Sequence, residues 1–290
     1  MPPVTDTQIE SSSRPCVAAA RARGGRPTQQ DDLVCLHDPA HDTHLLVVAD
    51  GMGGDGAGEL ASAGVVAVAR RLWQAGMWRE QPGALFLETL CQQAHTELRS
   101  RGSRLAQGAP HSTVVALLLR GDRVSWAHVG DSRLYRFQGR RLLDCTEDHS
   151  VAQLKVRRGD IAADQRATDP DQHRLLRGLG GPNPPQVEHG GATLQRGQAF
   201  ALCSDGVWET LSTQELNRYA RRRDQHRAVR EALALALQRG GADGDNVALV
   251  FARFAPPGWL RRFVPRRRVA GLVPATVRTE LPVDPEPGNA

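Results

Sequence analysis

Lysine is almost missing from this chain. Lys155 is the single lysine among 37 basic residues. The arginines suit planar phosphate forks, but so even a bias describes a coding habit as readily as a binding surface. Aromatic residues make up 4%, too few to interleave with the arginines as a nucleic-acid platform. No run of 18 apolar residues occurs, which excludes a spanning helix. The five cysteines, Cys16, Cys35, Cys91, Cys145 and Cys203, are odd in number, widely spaced and without a CxxC pair. That argues against a zinc knuckle or a disulfide framework and for reduced thiols in the cytoplasm. Residues 1–15 lack the basic start and apolar core of a secretory signal, and no internal repeat is visible.

What is present describes a soluble globular protein. The 290 residues, 40% hydrophobic and 24% charged, suffice for one large domain that buries roughly three-quarters of its unfolded surface. Residues 1–15 read as a flexible leader and 16–254 as the body. Residues 255–290 read as a flexible tail, because Pro256, Pro257, Pro265, Pro274, Pro282, Pro285 and Pro287 crowd into it. The tail also carries Arg261, Arg262, Arg266, Arg267, Arg268 and Arg278 against Glu280, Asp284 and Glu286. Its net +3 leaves +2 of the total +5 to the rest. Nucleic acid is therefore not an expected partner. The tail is a solvated segment or a dock for an acidic partner or anionic lipid.

Short β-branched and apolar runs predict strands at Leu33–Leu36, His44–Ala49, Thr113–Leu119, Arg123–Val129, Arg133–Phe137, Ala199–Cys203 and Asn246–Phe251. Helical periodicity predicts helices over Ala57–Ala75, with Leu60, Gly64, Val68 and Leu72 on one face, over Pro82–Ser100 and over Thr213–Gln238. The last opens on Ser212-Thr213-Gln214-Glu215, a capping-box pattern. Meandering strands with helices in pairs favour an α+β fold over alternating βαβ units. The charged, proline-bearing segment from Thr146 to Arg196 reads as a surface excursion between strands.

Four aspartates stand at the mouths of apolar strands: Asp50 and Asp205, each before glycine, Asp131 after Gly130, and Asp245 before Asn246. One such acid is ordinary turn chemistry. Four at a shared sheet edge would repel one another unless a cation joined them. Oxygen-only ligands select hard ions such as Mg²⁺ or Mn²⁺. Two such ions about 4 Å apart ready a water nucleophile and polarise a phosphoryl oxygen. The stretch from Asp50 to Glu59 holds five glycines. It is no Walker loop, lacking Gly-Lys-Ser/Thr, and no EF-hand by its carboxylate spacing. A metal loop entering the Ala57 helix survives, with the Gly51 carbonyl beside Asp50. Upstream, Arg26 precedes Asp31 by five residues, a spacing compatible with a phosphate clamp; a solvated arginine is the plainer alternative.

Taken in order, these pieces resemble the metal-dependent Ser/Thr protein phosphatases of the PPM, or PP2C-like, family. The resemblance runs from about residue 18 to 253. It rests on Arg26-x-x-Gln29-Gln30-Asp31, Asp50-Gly51-Met52-Gly53-Gly54 with Gly58-Glu59-x-Ala61-Ser62, Gly130-Asp131-Ser132-Arg133-x-Tyr135, Asp148-His149-Ser150, Ser204-Asp205-Gly206 and Gly244-Asp245-Asn246. It implies a central β-sandwich of two antiparallel sheets flanked by helix pairs, with a flap subdomain at about 146–196. It implies two Mn²⁺ or Mg²⁺ ions: Asp50 would bridge them, the Gly51 carbonyl would bind one, and Asp205 and Asp245 would complete the other's shell. Asp31 would act through metal-bound water, Arg26 would grip the phosphate, and Asn246 would orient Asp245. Asp131 would help Asp205 hold a third, weaker ion.

Three departures stand out. Gln29 and Gln30 replace Asn and Glu, and His111-Ser112-Thr113 replaces Gly-Thr-Thr. Met52 stands where eukaryotic relatives often place a histidine, which leaves metal-bound water, His111 or a substrate-side group as sources of the leaving-group proton. The implied activity is hydrolysis of phosphoserine and phosphothreonine on proteins by a metal-bridging hydroxide. The rival from another class is a non-catalytic regulatory module on the same scaffold. The flap sequence is similar to stand-alone bacterial phosphatases. That implies a cytoplasmic monomer acting on phosphorylated proteins opposite a Ser/Thr kinase, and some such enzymes accompany type VI secretion components.

Overall fold

The computed structural model describes residues 16–53, 56–102 and 110–254. The leader, the tail, and Gly54 and Asp55 of the glycine-rich loop lie outside the described residues, and so do the expectations placed on them. The strands are β1 (Cys16–Ala22), β2 (Asp31–Asp38), β3 (Thr43–Met52), β4 (His111–Ser112), β5 (Val114–Arg120), β6 (Arg123–Val129), β7 (Arg133–Gln138), β8 (Arg141–Cys145), β9 (Glu188–Thr193), β10 (Gln198–Cys203) and β11 (Val247–Arg253). The helices are α1 (Ala57–Gln74), α2 (Met77–Glu80), α3 (Gly83–Gly102), α4 (Val151–Arg158), α5 (Asp205–Trp208), α6 (Thr213–Ala220) and α7 (Gln225–Gly240).

Two antiparallel sheets face each other, in the orders β1-β11-β10-β7-β8 and β2-β3-β5-β6-β9, with β4 paired to the end of β3. Strand periodicity sets the layers. Leu46 and Val48 of β3 join Leu117, Phe200, Leu202 and Val250 between the sheets. Their neighbours Leu45, Val47 and Ala49 point the other way, onto α1 and α3 through Val65, Leu72, Leu90 and Leu98. On the opposite flank Leu216 of α6 and Val229 and Leu233 of α7 cover Tyr135, Leu249 and Phe251. Central strands buried on both faces read as continuous apolar runs, which is why they stood out in the sequence. Among the described residues no helix is long and apolar enough to cross a membrane.

The sandwich, the flanking helix pairs and the seven expected strands are present, and four features depart from expectation. Leu60 is 44% exposed; the buried stripe of α1 runs instead through Ala57, Ala61, Val65, Val68 and Leu72. The expected helix Thr213–Gln238 is two helices. Asp224 accepts from Arg227 N as a new N-cap, and Gln225 Nε2 donates to the Ala220 carbonyl at the end of α6. The Thr146–Arg196 excursion is not wholly outside the sandwich, since β9 pairs with β6. Strand β1 escaped notice because its four alanines carry little β-propensity; pairing with β11 overrides that.

The capping box at Ser212 is complete: its Oγ accepts from Glu215 N, and its own N–H donates to Glu215 Oε2. Ser212→Ala is expected to cost about 1 kcal/mol, read as a lower urea midpoint at unchanged slope.

Candidate active site

The antiparallel register brings Asp31 and Asp50 opposite each other, as Cα partners at the site end of β2 and β3. The backbone of Asp50 is fixed by the segment that departs from Gly-Thr-Thr. Its N–H donates to Thr113 Oγ1 (3.1 Å), and its carbonyl accepts from Thr113 N (2.8 Å) and Ser112 Oγ (3.0 Å). The hydroxyls of this segment therefore hold the strand end in place. Gly51 is required sterically. A Cβ there would lie 1.8 Å from the Gly58 carbonyl oxygen. Gly58 is equally constrained, its Cβ meeting Gln30 Nε2 at 2.5 Å and Gly51 O at 2.7 Å. These two glycines let the first turn of α1 lie directly on the strand bearing Asp50.

The remaining acids arrive from neighbouring strand ends. Asp131 follows Gly130, whose φ of +106° favours glycine. Asp205 opens α5 directly after β10, and its Oδ1 accepts from Gly206 N at 2.6 Å. Asp245 precedes β11; Arg26 Nη2 donates to its Oδ2 at 2.7 Å, and Asn246 N to its Oδ1 at 2.7 Å. Asn246 thus orients its neighbour through its own N–H, and its side chain makes further bonds. Its Oδ1 accepts from Gln30 N (2.6 Å), and its Nδ2 donates to Arg23 O (2.6 Å) and Thr28 O (3.0 Å). Asn246 thus ties down the loop that carries Arg26 and leads into Asp31.

The electrostatics show how tightly these acids are gathered. Burial pushes the Asp50 carboxyl well above the usual range, and repulsion from Asp205, Asp31, Asp131 and Asp245 adds to it. Asp31 is also raised, first by burial and then by Asp205 and Asp245, against the lowering effect of Ser204 Oγ, which donates to its Oδ2 at 2.6 Å. Asp131 is raised by burial, Asp205 and Asp148. Five carboxylates therefore share one field. Their donor set is all oxygen, so hard divalent cations fit it, and bound cations would remove the repulsion.

Two further groups carry no sequence motif. Glu209, one helical turn past Asp205, and His173, from the segment between β8 and β9, approach the same cluster. His173 Nδ1 lies 3.7 Å from Asp205 Oδ2 and 3.6 Å from Glu209 Oε1. Asp205 first, with Glu209, pushes His173 up to about 9; burial first, with Asp205, pushes Glu209 up to about 7. Both line a cavity of about 250 Å³ with Arg26 and Asp245. The spacing Asp205–Glu209 was a usable signal for the glutamate; nothing local marks the histidine. On the other side Met52 and His111 line a groove of about 680 Å³ with Leu175, Leu176 and Pro182.

Residues 19–239 match the family model for protein phosphatase 2C. The serine/threonine phosphatase stp of Listeria monocytogenes is 29% identical over 210 residues, covering 71% of this chain and 83% of that protein. The catalytic domain of the serine/threonine protein phosphatase PstP, solved in complex with two manganese ions, superposes with a TM-score of 0.70 at 26% identity, covering 82% of this chain and 97% of that one. PppA, described as a key regulatory component of the type VI secretion system in Pseudomonas aeruginosa, superposes with a TM-score of 0.68 at 28% identity, covering 83% and 98%.

A carboxylate whose pKa is raised above its unfolded value destabilises the fold at pH 7; the effect starts to fade as pH falls below the raised value and is gone below the unfolded one. Asp50→Asn is therefore expected to melt above the wild type in EDTA at pH 7, with the gap narrowing toward pH 5. A wild type that melts at or above the variant in EDTA at pH 7 would contradict this electrostatic account.

Proposed function

The chain belongs to the protein phosphatase 2C family, and on that footing we propose that it hydrolyses phosphoserine and phosphothreonine on proteins. The observation that carries this reading is the convergence of Asp31, Asp50, Asp131, Asp205 and Asp245 at one edge of the sandwich, with Arg26 beside them. Asp50, the Gly51 carbonyl, Asp205 and Asp245 are the residues to hold two Mn²⁺ or Mg²⁺ ions. Asp31 lies opposite Asp50 in the strand register and would act through water on the ions, and Asp131 with Asp205 offers a third position. Bound cations of this kind supply a water acidified to a pKa near 7 and charge neutralisation at the phosphoryl oxygens.

The chain's own groups do the rest. Asp31 is held by Ser204 Oγ and by the Gln29 side chain, whose Oε1 accepts from Asp31 N at 2.9 Å. Ser204 thereby fixes Oδ2 and Gln29 the backbone, which aims the carboxyl at the cluster. Arg26 is 54% exposed along its side chain and sits at the mouth of the 250 Å³ cavity. Its guanidinium neutralises Asp245 and presents its remaining donors to a phosphate. The acids need no nucleophilic Cys or Ser beside them: Cys203, the cysteine nearest Asp205 in sequence, is buried with its thiol pushed up by desolvation. Relatives named serine/threonine phosphatases support the substrate class. A role opposite a Ser/Thr kinase in the cytoplasm, and a link to type VI secretion like that stated for PppA, are the finer parts of this reading.

Turnover of p-nitrophenyl phosphate with Mn²⁺ tests it. Asp50→Asn and Asp205→Asn are expected to abolish activity while leaving a folded protein. Arg26→Ala is expected to raise KM about tenfold or more, the worth of a charge-assisted phosphate contact, with a smaller effect on kcat. Full activity in either aspartate variant would remove the site assignment, and a protein inert with every divalent cation would favour the regulatory module.

A further inference from the structure

Asp131 and Asp205 lie on different elements and repel each other, so something must hold their backbones at a fixed separation. Helix α5 begins at Asp205 and ends at Trp208. The indole Nε1–H of Trp208 donates to the backbone carbonyl of Asp131 at 2.9 Å. One hydrogen bond therefore ties the peptide of one acid to the short helix that starts with the other. The turn is held from its far side as well. Gly130 N donates to His149 Nδ1 at 3.1 Å, and His149 N donates to the Gly130 carbonyl at 2.9 Å.

Trp208 is itself fixed. The Arg133 guanidinium lies 3.4 Å from its ring centroid. Arg133 is 6% exposed and is clamped by Asp148 through two bonds, Nε to Oδ1 at 2.7 Å and Nη2 to Oδ2 at 2.6 Å. Arg166 approaches the same indole at 5.9 Å, lies 3.9 Å from Asp148 Oδ2 and donates to Gln153 Oε1 at 2.7 Å. Asp148, His149, Gln153 and Arg166 all belong to the segment between β8 and β9, which places His173 beside Asp205. His149 serves this purpose as a strut and not as a ligand. Its Nδ1 accepts from Gly130, so its Nε2 carries the proton directed at Glu188 Oε2, 3.0 Å away. Its ring also stacks on His128 at 4.5 Å and 17°, so no single ion lies in the plane of both rings, although His128, His149 and Glu188 are close enough to share one.

We propose that Trp208 and His149 are positioning residues for a cation held by Asp131 and Asp205, and that they couple that position to the flap. The proposal rests on the metal-dependent reading above. Neither side chain reaches a carboxylate of the cluster through these bonds; each acts on the peptide groups that aim Asp131. Supports of this kind typically alter metal affinity or activity by 10–100-fold when removed.

The test is Mn²⁺ titration by isothermal calorimetry, with steady-state kinetics on the full chain. Trp208→Phe keeps a ring over Arg133 and deletes the N–H; Trp208→Leu deletes both. The wild type is expected to show a weaker Mn²⁺ event that Asp131→Ala removes. Trp208→Phe and Trp208→Leu should each weaken that event about tenfold and lower kcat with little change in KM. His149→Ala should weaken the same event without touching Trp208, and it carries the test if the Trp208 variants do not fold. Wild-type Mn²⁺ binding in Trp208→Phe, with loss only in Trp208→Leu, would reduce Trp208 to packing and overturn the clamp; so would wild-type binding in His149→Ala if that variant alone folds. A wild type that binds no Mn²⁺, or an Asp131→Ala isotherm identical to the wild type's, would instead sink the metal reading at Asp131, and the clamp with it.

Discussion

Repulsion among five carboxylates at one rim of the sandwich is the constraint that the surrounding structure answers. Asp50 is half-buried at the end of β3, and Asp31, Asp131, Asp205 and Asp245 each make its ionisation harder. A fold does not gather such charges for stability, since burying an unpaired carboxylate is costly. The hydrophobic layers between and outside the sheets supply the compensating driving force. The Ser112 hydroxyl and the Thr113 N–H hold the Asp50 peptide against the neighbouring strand, while Gly206 N and Asn246 N orient the carboxylates of Asp205 and Asp245. Strained or repulsive arrangements persist where surrounding structure over-determines them, and this rim is bonded on every side.

Antiparallel topology makes the gathering achievable. Strands β2 and β3 pair so that residues 31 and 50 face each other. Strands β10 and β11 pair as neighbours in the second sheet, with Cys203 opposite Leu249. The acids following β10 and preceding β11 therefore emerge at the same end. Alternation along each strand points one face inward and leaves the mouth to the polar residue that follows. Glycine then permits contact that side chains would forbid. Gly51 against Gly58 joins strand to helix. Gly24, whose Cβ would fall 2.1 Å from the Asp245 carbonyl oxygen, lets the Arg26 loop lie on the Asp245 turn.

Much of this was legible because the site acids are local punctuation on strong patterns. Asp50, Asp205 and Asp245 sit where an apolar run meets a glycine or a turn, and such boundaries survive in a one-dimensional reading. Strand β1 did not show itself because alanine carries no strand signal of its own. The break between α6 and α7 was hidden because Arg221, Arg222 and Arg223 are compatible with a continuous helix, and the break is made by the side chains of Asp224 and Gln225. His173, Trp208 and the side-chain bonds of Asn246 were illegible for another reason. Each acts on a residue or backbone group far along the chain, and no spacing rule encodes a carbonyl 77 or 223 positions away.

The arginine excess takes on a different meaning in the folded body. Many of these arginines are engaged with acids: Arg79 with Asp38, Arg101 with Glu97, Arg136 with Asp144, Arg157 with Glu147, and Arg222 and Arg227 with Glu231. Pairs of this kind at the surface contribute little each. Arg133 is the contrasting case. Buried against Asp148 and stacked on Trp208, it would leave a buried carboxylate with only the more distant Arg166 if removed. A lysine at that position could not make the bidentate pair and the flat stack together. Arginine matters here less for its charge than for its plane, because that plane joins the Asp148 carboxylate to the indole that holds Asp131.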